Sequence, residues 1–257
     1  MVSHCPGNFD GFNSHSTSYL SSSWPNLMGT QIGLHVPLGA LFLFALLFLP
    51  IFNRHYPQHG IGSVFFSPQF FFLCASLVIF RLRKLCWTDI GVQKQKSLLY
   101  FGFGAGIGLM PIFLLLGIFF LGIFPRETLV GAPLPLAWDG YQFFLLVFLA
   151  PLSEEIFFRG ILFTALRENY SNWISVLLSS VIFMAGHAGG GPSISIFGLH
   201  FTLSIGPFIL GLIASGMMIK TGSIFPGLGL HMVSNTYSPI LILWFPNFYR
   251  QISFLFP

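Results

Sequence analysis

A pair of adjacent carboxylates lies inside an apolar stretch of the chain, where ions are costly. The run from Phe143 to Leu152 reads Phe-Phe-Leu-Leu-Val-Phe-Leu-Ala-Pro-Leu; Ser153, Glu154 and Glu155 follow, then Ile156-Phe157-Phe158, Arg159 and Gly160. Each ion at the middle of a bilayer costs ~2.5–3.5 kcal/mol even on the lenient insertion scale, so these groups must face a protein interior or a hydrated cavity. On a helix, Glu155 and Arg159 stand four apart on one face and can pair, while Glu154 is rotated ~100° away. A structural ion pair accounts for Glu155 and Arg159 but leaves Glu154 unexplained. A second acid beside the first adds repulsion and desolvation, the conditions under which a general base is tuned.

Two further polar positions interrupt apolar stretches downstream. Phe183-Met184-Ala185-Gly186-His187 ends one of them with an imidazole, and His231-Met232-Val233-Ser234-Asn235 sets a histidine and an amide four apart in another. Either histidine alone reads as a hydrogen-bonded packing residue. Their placement relative to the carboxylates says more. With a turn at Glu168 to Asn172, Glu154 lies fourteen residues before it and His187 fifteen after it. At about 1.5 Å per residue both are ~21–22 Å from the turn, at equal depth in an antiparallel hairpin. A carboxylate and an imidazole so placed can polarise a shared water toward a peptide carbonyl. His231 and Asn235, on one helical face, can donate to the oxyanion that forms, and one such donor is worth ~10²–10³ in rate.

The elements that must carry these groups are transmembrane helices. Charged residues make up 7% of the 257-residue chain, against 54% hydrophobic and 18% aromatic, too little polar surface for a water-soluble domain. Apolar runs of the length of a bilayer span cover approximately 32–52, 61–80, 98–124, 141–166, 173–187, 194–219 and 224–245. Lipid cannot satisfy backbone polar groups and these runs exceed barrel strands, so the expected fold is all-α, a polytopic bundle of about seven to eight helices over 31–257. Residues 1–30, Ser-rich and without Lys or Arg, read as a weakly ordered tail. Loops are expected at 53–57, 125–127, 131–135 and 189–192.

Gly102, Gly104, Gly106 and Gly108 form two overlapping GxxxG spacings, a helix-packing signal. Cys5, Cys74 and Cys86 have no metal-site or disulfide-framework spacing. Arg81, Arg83, Lys84, Lys94 and Lys96 cluster as a membrane-side anchor rather than a nucleic-acid surface, and the charge rule puts that side in the cytoplasm.

Competing chemistries fit less well. The nearest approach to a GxSG serine loop, Ile213-Ala214-Ser215-Gly216, lacks its first glycine, and Asp10, Asp89 and Asp139 all lie outside the spans, which leaves no intramembrane aspartate pair. A transporter with inverted repeats is not apparent.

Taken together, Glu154-Glu155-Ile156-Phe157-Phe158-Arg159-Gly160, Phe183 with His187, and His231 with Asn235, in that order, resemble the CAAX protease and bacteriocin-processing family of intramembrane endopeptidases. The lead-in Lys220-Thr221-Gly222-Ser223-Ile224-Phe225-Pro226 is also similar, and the likeness covers 141–239. The resemblance implies a multi-pass membrane protein that hydrolyses membrane-associated or prenylated peptide substrates. Glu154 and His187 would activate water, Glu155 and Arg159 would hold the site, and His231 with Asn235 would stabilise the oxyanion. Members have been viewed both as metalloenzymes and as glutamic proteases. Glu and His are zinc-ligand types, but no HExxH is present, so the expectation is a glutamic enzyme with no cofactor. The alternative is a non-catalytic membrane scaffold or immunity-type protein of the same family.

Overall fold

A computed structural model describes residues 32–33, 35–43, 68–93, 95–123, 140–187, 193–196, 199–202 and 205–252. The expected N-terminal tail and the loops at 53–57, 125–127, 131–135 and 189–192 lie outside the described residues.

The protein is a helical bundle. Its helices are α1 (His35–Leu43), α2 (Pro68–Leu82), α3 (Ser97–Phe120), a composite α4 (140–167), α5 (Asn172–Ala185), α6 (Ile205–Thr221), α7 (Phe225–Ser234), α8 (Tyr237–Trp244) and α9 (Pro246–Ile252), with a 3₁₀ turn at Trp87–Ile90. Among the described residues α3 alone is both long and apolar enough to cross a bilayer unaided, while α2, α5 and α6 are shorter apolar helices. Leu98, Phe103, Met110, Phe113, Leu114 and Phe120 stand exposed along α3, an outer face suited to lipid.

Two expected spans are built differently. The run 194–219 opens as an antiparallel hairpin, β1 (Ser193–Ile196) with β2 (Leu199–Thr202), in which Ser193 pairs with Thr202 and Ile196 with Leu199. Helix α6 starts only at Ile205. The alternation of Ser and Ile in Ser193-Ile194-Ser195-Ile196 has the period of a strand. The run 224–245 breaks into α7 and α8 at Asn235-Thr236. Pro239 has no N–H to return to the Asn235 carbonyl, and Thr236 turns its N–H (3.0 Å) and hydroxyl (2.6 Å) onto the Val233 carbonyl.

Helix α4 is the hub, in contact with α1, α2, the 3₁₀ turn, α5, α6 and α7. It alternates α-helical and π-helical turns, the latter at Leu145–Leu149 and Glu155–Phe163. One face is sealed by Phe157, Phe158, Ile161 and Leu162 packed on Phe72, Ile79 and Ile90. At the end of α4, the Glu168 carboxylate accepts the Ile32 N–H (2.8 Å) and the Gly33 N–H (3.1 Å), and Arg83 lies 3.1 Å from His35. The start of α1, the end of α2 and the α4–α5 turn therefore share one end of the bundle.

Two seams bring the remaining helices in. Along α3 and α7, a Cβ at Gly104 would overlap the Pro226 carbonyl and a Cβ at Gly229 would overlap the Phe101 carbonyl, so the two backbones touch. The Tyr237 hydroxyl donates to the Gly108 carbonyl and extends the seam to α8. Gly102 and Gly106 meet nothing. Of the two overlapping glycine spacings, the one formed by Gly104 and Gly108 carries the contact. Along α5 and α6, Gly211 packs against Ser180, where a Cβ would come 3.0 Å from the Ser180 Cα.

Candidate active site

The side chains singled out from the sequence come from α4, the end of α5 and α7, and they meet. His187 Nε2 is 3.4 Å from Glu154 Oε2, and His231 Nε2 is 3.7 Å from the same oxygen. Glu155 Oε1 lies 3.1 Å from His231 Nδ1 and 3.1 Å from an Arg159 Nη. Arg159 and Glu155 are completely buried, Glu154 and His231 nearly so, while the His187 side chain keeps 17% of its exposure. The cluster therefore opens toward its surroundings on the His187 side. The Arg159 guanidinium also sits 4.0 Å above the Phe183 ring, which in turn lies 4.3 Å from the His187 ring and 5.6 Å from that of His231.

Hydrogen bonding fixes which ring nitrogens carry protons. His187 Nδ1 is 2.8 Å from the Phe183 carbonyl, which can only accept, so Nδ1 is the N–H. His231 Nδ1 meets a carboxylate already paired with a guanidinium, so it too donates. In their neutral forms both imidazoles then turn an Nε2 lone pair toward Glu154 Oε2, which itself has no hydrogen-bond partner among the described residues. A proton or a water placed among these three atoms would be shared between a carboxylate and two bases, as proton abstraction requires.

Asn235 is placed differently from the sequence expectation. Its Nδ2 donates to the Leu146 carbonyl at 2.8 Å. Leu146 sits in the first π-helical stretch, where the Ala150 N–H bonds to the Leu145 carbonyl. The next donor in π register would be residue 151, and Pro151 has none. The amide of Asn235 thus takes over a carbonyl that the π turn and the proline release together, and it locks α7 to α4. Any bond to an oxyanion must use its second N–H.

The second π stretch begins at Glu155, so the α-helical spacing assumed for Glu155 and Arg159 is not the geometry present. The wider turn still leaves them adjacent. Ser153 and Ser215 are fully buried, with Ser153 bonded to the Ala150 carbonyl at 3.0 Å. Asp89 caps the 3₁₀ turn through the Cys86 N–H at 2.7 Å. Gly227 packs on Glu155, with Ala214 beside Gly227, and no motif in the sequence pointed to either. Phe183 was visible only as a spacing partner of His187, although its ring joins Arg159 to both imidazoles.

A buried carboxylate flanked by two orientated imidazoles, within a bundle of apolar helices, defines a candidate hydrolytic centre. Residues 136–237, a stretch that contains every residue of this cluster, match the family model described as Rce1-like, Type II CAAX prenyl endopeptidase Rce1-like. The likeness to that family is confined to this stretch, about two fifths of the chain. An uncharacterized 24.3 kDa protein of Escherichia coli is 33% identical over 90 residues, 34% of this chain. The chain spans 38% of the length of that relative. No solved structure matches.

Proposed function

We propose that this chain is a multi-pass intramembrane endopeptidase of glutamic type that hydrolyses peptide bonds of membrane-associated or prenylated CAAX-type substrates. The observation that carries this reading is the approach of two imidazole Nε2 atoms to one buried carboxylate oxygen, with both rings anchored through Nδ1. Water entering from the His187 side is deprotonated by the Glu154 and His187 pair and adds to the scissile carbonyl. The same pair returns the proton to the departing amine. With Nδ1 committed to Glu155, His231 donates to the oxyanion from Nε2 only as the imidazolium, whose charge Glu155 balances.

Zinc was the competing possibility. Glu154, His187 and His231 are of zinc-ligand type. Activity that survives exhaustive chelation supports the glutamic reading; loss on chelation and recovery with zinc overturns it.

Proteolysis itself is tested by Glu154→Gln. The amide keeps the shape and removes the base, so cleavage of prenylated or membrane-tethered peptides by the purified protein is expected to fall at least ~10²-fold, within the usual contribution of general-base catalysis. Retention of full biological activity by a folded, cleavage-dead variant assigns the protein to the scaffold class instead.

A further inference from the structure

We propose that Gly227 is a positioning residue for the active site: the notch left by its missing side chain seats Glu155 Oε2 and so holds Oε1 on His231 Nδ1. The kinetic part of this proposal rests on the proteolytic reading above, whereas the geometric part does not.

Gly227 lies in the first turn of α7, four residues before His231 and thus on the same face. A Cβ built there would come 2.5 Å from Glu155 Oε2, 3.3 Å from its carboxyl carbon and 3.2 Å from the Ala214 Cβ. Unlike the overlaps at Gly104 and Gly229, the collision is with a side chain of the site and not with a neighbouring backbone. The carboxylate it meets is fully buried, and its other oxygen serves Arg159 and His231 at 3.1 Å each. Oε2 has no hydrogen-bond partner among the described residues, so no donor fixes its direction. Its place is set by the notch at Gly227 together with the hold of Arg159 and His231 on Oε1.

A methyl group at position 227 has no room unless Glu155 moves. Whichever way the carboxylate turns, Oε1 leaves His231 Nδ1, and the ring loses the acceptor that assigns its tautomer. Nδ1 is then unprotonated in part of the population, and the imidazolium that donates to the oxyanion loses the carboxylate that balances its charge. Shortening the acid by one methylene withdraws the carboxylate from the notch. Glu155→Asp should therefore relieve the overlap created by Gly227→Ala.

The test uses the full chain in phospholipid nanodiscs, labelled with ¹⁵N-histidine, as wild type, Gly227→Ala, Glu155→Asp and the double variant. In the wild type, the His231 Nδ1 resonance is expected to be of N–H type. Gly227→Ala should shift it toward the unprotonated type, and in the Glu155→Asp background the same substitution should move it no further. In cleavage of a membrane-tethered peptide, Gly227→Ala should lower kcat by about 10²-fold with KM little changed, the upper range for losing an orientating partner. In the Glu155→Asp background the same substitution should cost less than about 3-fold, a coupling that independent sites do not show.

An unchanged His231 resonance in Gly227→Ala, or an equal loss in both backgrounds, overturns the proposal. Should Gly227→Ala fail to fold, recovery of folding in the double variant upholds it and equal failure overturns it. If the wild type cleaves nothing while the resonance shifts as described, the proteolytic reading falls and the role of Gly227 stands.

Discussion

The two seams that deliver histidines to Glu154 are built on different terms. His231 arrives on α7, whose backbone rests on that of α3 at Gly104 and Gly229. His187 arrives at the end of α5, which packs on α6 where Gly211 meets Ser180. In the first seam Gly104 and Gly229 each meet a carbonyl group of the other helix. In the second the neighbour is a serine, and the buried hydroxyls of Ser175, Ser179 and Ser215 have no hydrogen-bond partner among the described residues. Membrane helices lack a hydrophobic drive to associate and depend on close packing. The α3–α7 seam exploits that to the point of backbone contact, while at the α5–α6 seam a Cβ on Gly211 would meet Ser180 at 3.0–3.1 Å, a tight contact rather than an overlap.

The sharpest way to break this comparison is Gly104→Ala. The new methyl would overlap the Pro226 carbonyl, and a backbone atom cannot rotate away. Separation of α3 from α7 would displace His231 as well, so a loss of at least ~3 kcal/mol, the top of the usual overpacking range, is expected in unfolding from mild detergent, together with loss of cleavage. Wild-type stability would show that the backbones do not touch.

Gly211→Ala is expected to do less. Its methyl would lie 3.0–3.1 Å from Ser180 atoms, and the seam can part by a few tenths of an ångström. The expected cost is ~1–2 kcal/mol, and Ser180→Gly should return most of it. A loss as large as that of Gly104→Ala would erase the distinction between the seams.

Counting residues was enough to reach part of this arrangement. Glu154 and His187 were set at one depth from fourteen- and fifteen-residue arms, and their side chains approach to 3.4 Å. Glu155 and Arg159 were paired by a four-residue offset, and they lie at 3.1 Å. Periodicity failed where the backbone leaves ideal geometry. A π turn has no composition of its own, so the released Leu146 carbonyl and its capture by Asn235 could not be read, although Pro151 was half of the cause. The hairpin at 193–202 was absorbed into an apolar run because Ile and Phe suit strands and membrane helices alike. Gly227 was invisible for another reason: what it accommodates is 72 positions away in the sequence, and no local pattern records a missing side chain.

The glycines of α3 provide the smallest expected effect and the most selective one. Gly102 and Gly106 share a GxxxG spacing with each other, as Gly104 and Gly108 do, and the sequence ranks the pairs equally. The structure separates them by face. Gly104 and Gly108 are buried against α7, whereas a Cβ at Gly102 or Gly106 would enter open space. With no neighbour to strike, the backbone preference of the helix is what remains, and Ala is favoured over Gly there by ~0.5–1 kcal/mol. Gly102→Ala is thus expected to raise stability slightly and leave cleavage intact, opposite in sign to Gly104→Ala two residues away. A destabilised Gly102→Ala, measured in monomeric protein, would mean that this outer face of α3 is itself a packing surface.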